Sequence, residues 1–279
     1  MDIGVTIFLT DKSIGVIELA RALEERGFES LFLPEHTHIP VSRRTPYPGG
    51  GELPDEYRRT HDPFVMLGAA AAVTENLKVG TGICLVAQRD TIVLAKEVAS
   101  LDAVSNGRFL FGIGYGWNVD EMEDHGVAPK DRRECVREQM LAMKSLWNDD
   151  EAAFDGKYVK LPPSWAWPKP VQRPNPPIFV GGAPGPKLFR HIAEYADGWM
   201  PIGGAGVRES LPALHQAAEE AGRDAKDIDL LIFFSTPDKG KLDYYAEMGV
   251  TRTVFGLPSA TSDVVLPLLD KYAELLTHA

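Results

Sequence analysis

Three glycines at alternate positions, Gly112, Gly114 and Gly116, run out of the apolar stretch GRFLFGIGYGWN at 107–118, and Trp117 follows them. A backbone stripped of side chains can cradle a phosphate, admit a flat ligand, or simply turn a corner. The phosphate loop of a dinucleotide-binding fold would read G-x-G-x-x-G directly ahead of a helix. Here Trp117 takes the place of the third glycine, and the next long helical pattern starts only at residue 131. A second glycine group, Gly181–Gly182 in PPIFVGGAPGP, ends another apolar run and feeds a helical pattern over 186–196. The free N–H groups and dipole of that helix would receive an anion, although an ordinary strand-to-helix turn reads the same way.

The third candidate is His36 in LPEHTHIP. An imidazole with its ordinary pKa near ~6.5 can hold or release a proton at physiological pH, whereas in a merely structural role it would be a hydrogen-bonding strut. The HTH at 36–38 also raises a metal-dependent hydrolase, which would need more ligands at later strand ends. Those ends read GIGYG, GGAPG, MPIGG and FGLPS and offer none, so no metal site is expected.

These residues need elements to hold them. Short apolar runs at 3–8, 30–33, 78–84, 109–113, 177–181, 198–202, 228–234 and 250–255 predict strands. Helical patterns at 13–26, 63–76, 91–104, 131–147, 186–196, 207–222, 239–248 and 262–276 lie between and after them. Eight strand-then-helix units in strict alternation predict one (β/α)8 barrel domain over residues 1–279. The glycine groups and His36 would then all emerge at the carboxyl ends of barrel strands, where barrel active sites lie. Two connections are long: 34–62 after the second strand and 148–176 before the fifth. Proline loading of the latter, with seven between 161 and 177, predicts an ordered extended strap. Arg43, Arg44, Arg58 and Arg59 in the first read as a lid whose charge could neutralise an anionic ligand.

The bulk numbers exclude other classes. Apolar residues are 44% and charged residues 25% of 279, as expected for a full core, and the net charge of −11 disfavours nucleic acid as a partner. No segment approaches the ~18 uninterrupted apolar residues of a membrane span, and MDIGVTIFLTDKSIG reads as a first strand, not an export signal. With only Cys84 and Cys135, the chain suits a reducing compartment, and a cytoplasmic location is expected.

The run from Lys78 to Val127, KVGTGICLVAQRDTIVLAKEVASLDAVSNGRFLFGIGYGWNVDEMEDHGV, resembles the luciferase-like monooxygenase superfamily. So do the later AFDGKYVKLPP, PKPVQRPNPPIFVGG and ADGWMP, and the similarity covers roughly residues 1 to 205. The chain is most similar to the branch of oxidoreductases that use the deazaflavin coenzyme F420. FMN enzymes share the same barrel and pocket, so the resemblance leaves FMN as the alternative cofactor. It implies that Glu35 binds or orients the cofactor and that His36 handles the proton. It further implies a non-proline cis peptide at Gly82–Ile83 supporting one face of the ring. Gly112, Gly114, Gly116, Gly181 and Gly182 would line the ring edge, ribityl chain and phosphate. A sugar-phosphate dehydrogenase branch carries a catalytic Glu directly after its glycine run, where this chain has Trp117. A tryptophan can stack on a ring or exclude water but cannot shuttle a proton, which puts a sugar-phosphate substrate in doubt.

The expected activity is therefore hydride transfer between the deazaflavin and a small organic substrate, in a homodimer of the kind common in the family. The runner-up is FMN-dependent oxygen insertion on the same barrel. A non-catalytic flavin- or deazaflavin-binding protein is the third reading.

Overall fold

A computed structural model describes residues 1–276. The elements follow as β1 (Asp2–Thr6), α1 (Val16–Glu25), β2 (Ser30–Leu33), α2 (Pro63–Ala72), β3 (Lys78–Thr81), α3 (Thr91–Val104), β4 (Phe109–Ile113), α4 (Val119–Asp124) and α5 (Arg132–Asn148). Next come β5 (Ala152–Asp155), β6 (Lys160–Ser164), β7 (Ile178–Gly181), α6 (Pro186–Tyr195), β8 (Gly198–Met200), α7 (Val207–Glu220), β9 (Asp229–Ser235), α8 (Lys239–Glu247), β10 (Arg252–Gly256) and α9 (Ser262–Ala273). Eight parallel strands close in the order β1-β10-β9-β8-β7-β4-β3-β2, giving the expected (β/α)8 barrel.

The strands read as unbroken apolar runs because both of their faces are covered. FLFGI of β4, for example, is buried at every position. Side chains pointing inward, Phe32, Leu110, Phe179, Met200, Leu231, Phe233 and Val254, form a cluster of their own that fills the barrel. A larger cluster lies between the strands and the helices.

The barrel floor is closed electrostatically. Arg252 of β10 donates to Glu29 at 2.7 and 2.8 Å and to Asp2 at 3.2 Å, which fastens the last strand to the first. Burial opposes the charge of Glu29, but the hydrogen bond and the charge of Arg252 outweigh it and hold the carboxyl down to about 2.

Both long connections are ordered: the first carries one 3-10 turn at Asp55–Arg58, and the second adds strands to the expected extended strap. The proline strap begins with a two-stranded antiparallel hairpin of β5 and β6 outside the barrel. Glu138 of α5 collects the N–H groups of Lys157, Tyr158 and Val159 at the hairpin turn, at 2.9, 2.6 and 3.0 Å. Further on, buried Asp102 of α3 accepts from the backbone and side chain of Gln172, at 2.9 and 2.6 Å. The segment after β4 is the other departure: in place of irregular chain before α5 it forms the short helix α4. No helix among the described residues is long and apolar enough to cross a membrane.

Candidate active site

A cavity of about 320 Å³ opens at the carboxyl ends of the barrel strands. Larger depressions exist, of about 480 Å³ between α6 and α7 and about 710 Å³ beside α1, but they lie on the outer helices. Convergence of strand ends selects the smaller one.

Most of the residues singled out from sequence meet there: Glu35, His36, Gly82, Ile83, Gly114, Gly116, Trp117, Gly181 and Gly182 all line it. Gly112 does not. A Cβ at Gly112 would stand 2.1 Å from the Thr81 carbonyl oxygen and 2.5 Å from Met200 Cε, so this glycine serves strand-on-strand packing below the cavity. The Gly82–Ile83 peptide is cis, as expected. Ile83 then projects between two glycines: a Cβ on Gly114 would meet its Cδ1 at 2.7 Å, and one on Gly181 its Cγ2 at 3.0 Å. Part of the bare ledge is thus cleared for a protein side chain. Gly116 has φ +74°, a left-handed value that costs glycine little and turns the chain toward α4.

Glu35 is engaged inside the protein. Its carboxylate accepts from Leu85 N at 2.7 Å and from Arg89 Nε at 2.6 Å, and Arg89 also pairs with Asp62 and Glu97. It therefore braces the loop that carries the cis peptide.

His36 has a partner that the sequence did not disclose. Its Nδ1 lies 2.7 Å from Glu121 Oε2, and both side chains are buried. A carboxylate only accepts, so Nδ1 carries a proton and Nε2 is the ring nitrogen that this bond leaves uncommitted. The six-residue helix α4 brings Glu121 beneath His36, and no hydrophobic period announces so short an element. Around the imidazole stand aromatic rings: Tyr57 at 5.3 Å and Trp117 edge-on at 5.8 Å, with Phe8 against Tyr57 at 4.5 Å. Burial first, then the hydrogen bond and charge of Tyr47, push the Tyr57 phenol well above its ordinary range, so it stays protonated and can donate.

Arg132 and Arg133, at the start of α5, were also missed, because a basic pair at a helix start reads as solvated surface. Both line the cavity, and Arg132 Nε and Arg133 Nη1 are buried without a hydrogen-bond partner. Arg133 stacks over Tyr115 at 4.5 Å, and the Tyr115 hydroxyl lies 2.8 Å from His191 Nδ1 on α6. Unsatisfied guanidinium nitrogens ahead of a helix N-terminus make a ready anion site.

The lid arginines are mostly spent. Arg44 pairs with Asp120 and Glu123 at 2.6 Å each, Arg58 with Asp55, and Arg59 with Asp55 at 2.6 Å and Asp11 at 3.0 Å. Arg43 lies over Trp117 at 5.8 Å. The charges of Arg44, Arg58 and Arg59 are thus used to fold the excursion, whereas among the described residues Arg43 has no carboxylate partner and its Nη1 is buried without a hydrogen bond. Trp165 and Trp167 are exposed and do not line the cavity. Among the described residues no group of three or more His, Cys, Asp or Glu is arranged to hold a metal ion.

Residues 13–236 match the family model described as luciferase-like monooxygenase. The protein Rv0953c of Mycobacterium tuberculosis is 43% identical over 281 residues, covering 99% of both chains. An F420-dependent glucose-6-phosphate dehydrogenase of Gordonia bronchialis is 28% identical over 228 residues, 78% of this chain and 62% of that one. Among solved structures, monooxygenase RslO1 from Streptomyces bottropensis superposes with a TM-score of 0.80 at 20% identity, covering 100% of this chain and 99% of that one.

Proposed function

The chain belongs to the luciferase-like monooxygenase family, and we propose that within it the protein is an oxidoreductase that passes a hydride between bound coenzyme F420 and a small organic substrate. The observation that carries this reading is the pairing of two chemistries in one cavity: an oriented imidazole on one arc of the rim and unsatisfied guanidinium nitrogens on another.

The fit to a ribityl-phosphate cofactor rests on those nitrogens. Arg132 Nε, Arg133 Nη1 and the N–H groups ahead of α6 would hold the phosphate. The ledge of Ile83, Gly114 and Gly181 would support the flat ring system from one side. When bound, a deazaflavin supplies a two-electron hydride donor or acceptor, and the chain supplies position and protons. His36, its tautomer set by Glu121, gives or takes the proton at the substrate oxygen through Nε2. Trp117 and Tyr57 wall that nitrogen from bulk water.

Membership of a monooxygenase family supports a second reading, in which FMN occupies the same cradle and the barrel performs oxygenation. The two separate by experiment. Mixed anaerobically with reduced F420 and a panel of ketones, enones and imines, the protein is expected to oxidise the deazaflavin in a substrate-dependent way. Turnover seen only with reduced FMN and oxygen would replace the first reading with the second.

A further inference from the structure

The rim over β9, β10, β1 and β2 carries a feature that cofactor binding does not use. Strand β9 is bulged: Thr253 pairs with Ile232 and Phe255 with Ser235, so Phe233 and Phe234 together face the single residue Val254. Side chains on a regular strand alternate, and only one of two successive phenylalanines would face the barrel axis. With the bulge both line the cavity, their rings 5.2 Å apart at 81°. The backbone of Phe234 is left-handed at φ +54°, which a residue with a Cβ adopts at a cost and which concentrates at functional sites. A bulge beside an active site re-aims a side chain.

The ring so aimed is not buried. Phe234 is 45% exposed and Ile202, beyond the end of β8, is 78% exposed, yet both line the cavity. Phe8, Tyr57 and Trp117, from beyond the ends of β1, β2 and β4, line the same cavity. None of the lid arginines lines the cavity: Arg44, Arg58 and Arg59 are each held by carboxylates, and Arg43, whose Nη1 is buried without a hydrogen-bond partner, lies against Trp117. The polar groups on this arc are the His36 imidazole and the Tyr57 hydroxyl, the latter 3.3 Å from that of Tyr47.

We propose that this end of the cavity is a substrate clamp for a flat, apolar, uncharged molecule bearing one oxygen, held between Phe234 and Ile202 on one side and Phe8, Tyr57 and Trp117 on the other. The clamp rests on the cofactor reading only for the place of the reacting atom; its walls are side chains of the chain itself. The oxygen meets His36 Nε2 or the Tyr57 hydroxyl, and the carbon skeleton covers the otherwise wet faces of Phe234 and Ile202. A sugar phosphate finds no arginine or lysine side chain among the residues that line this arc and would desolvate against hydrocarbon.

The test is equilibrium binding by saturation-transfer NMR, with 1-indanone as the neutral probe and glucose 6-phosphate as the anionic one. It is run on the cofactor-free protein and on protein saturated with F420. Saturable binding of 1-indanone is expected, and Phe234→Gly and Ile202→Ala should each weaken it about tenfold. Glucose 6-phosphate should show no saturable binding. Phe234→Gly relieves the left-handed backbone and Ile202 is largely exposed, so neither variant endangers folding. Absent 1-indanone binding, glucose 6-phosphate binding as tight as that of 1-indanone, or variants within about twofold of the parent would overturn the clamp. Failure of F420 to bind would strike the cofactor reading alone, because the cofactor-free arm still reads the clamp.

Discussion

In the proposed mechanism the tautomer of His36 is set by one bond. Glu121 Oε2, 2.7 Å from Nδ1, fixes which ring nitrogen carries the proton, and the aromatic wall of Tyr57 and Trp117 keeps the imidazole in place. Glu121→Gln preserves the shape but removes the charge, and the amide can favour either tautomer. The hydride-transfer rate is expected to fall about a hundredfold, with a changed pH–rate profile and unchanged cofactor affinity. Stopped-flow measurement of cofactor oxidation across pH checks this. A rate and profile identical to the parent would reduce the pair to packing. At the same scale, Arg132→Ala combined with Arg133→Ala should weaken cofactor binding by about two orders of magnitude, read by equilibrium titration. An unchanged affinity would move the phosphate elsewhere.

Short elements do the positioning. Helix α4 exists to place Glu121, and Asp120 beside it anchors the lid by accepting from Arg44 N at 2.9 Å and Thr45 N at 3.3 Å. Asp120→Ala is expected to speed amide hydrogen exchange in residues 40–47 and 118–125 while the barrel strands keep their protection. Equal protection in parent and variant would show that α4 needs no such anchor. This is also where the sequence was least legible. Runs such as FLFGI and IFVG, bounded by turn residues, disclosed all eight barrel strands, because strands buried on both faces must be apolar throughout. A six-residue helix has too few turns to show a period, and a bulge that turns Phe234 inward leaves no mark in the letters FF. Gly112 and Gly114 shared one motif, yet only the fold separates the first, which packs against Thr81, from the second, which lines the cavity. Glu35 came from the family resemblance and the lid arginines from type and place, but the partners Arg89 of Glu35 and Asp120 of Arg44 are long-range contacts that no spacing reveals, whereas the Asp55 pairs with Arg58 and Arg59 are local ones at i,i+3 and i,i+4.

Over the whole molecule, the barrel is closed at its floor by Arg252 and Glu29 and worked at its mouth. Glu29 has a folded pKa of about 2, below its unfolded value, so its contribution is fully present above roughly pH 4.5 and is lost as pH falls through about 2. Glu29→Gln leaves buried Arg252 with the ion pair to Asp2 and the more remote charge of Asp229 and is expected to cost about 3–5 kcal/mol at neutral pH. The difference from the parent should shrink steadily as pH falls through that window, followed by denaturant unfolding. A difference that does not change with pH would mean the floor is not held by charge. At the mouth, the account stands on a deazaflavin lying across the strand ends with its phosphate against α5 and α6. The direct measurement is an equilibrium titration of the purified protein with F420 and, separately, with FMN, followed by cofactor fluorescence. The account predicts saturable F420 binding at least about tenfold tighter than FMN, competed by inorganic phosphate. Binding of FMN alone, or of neither, would contradict it.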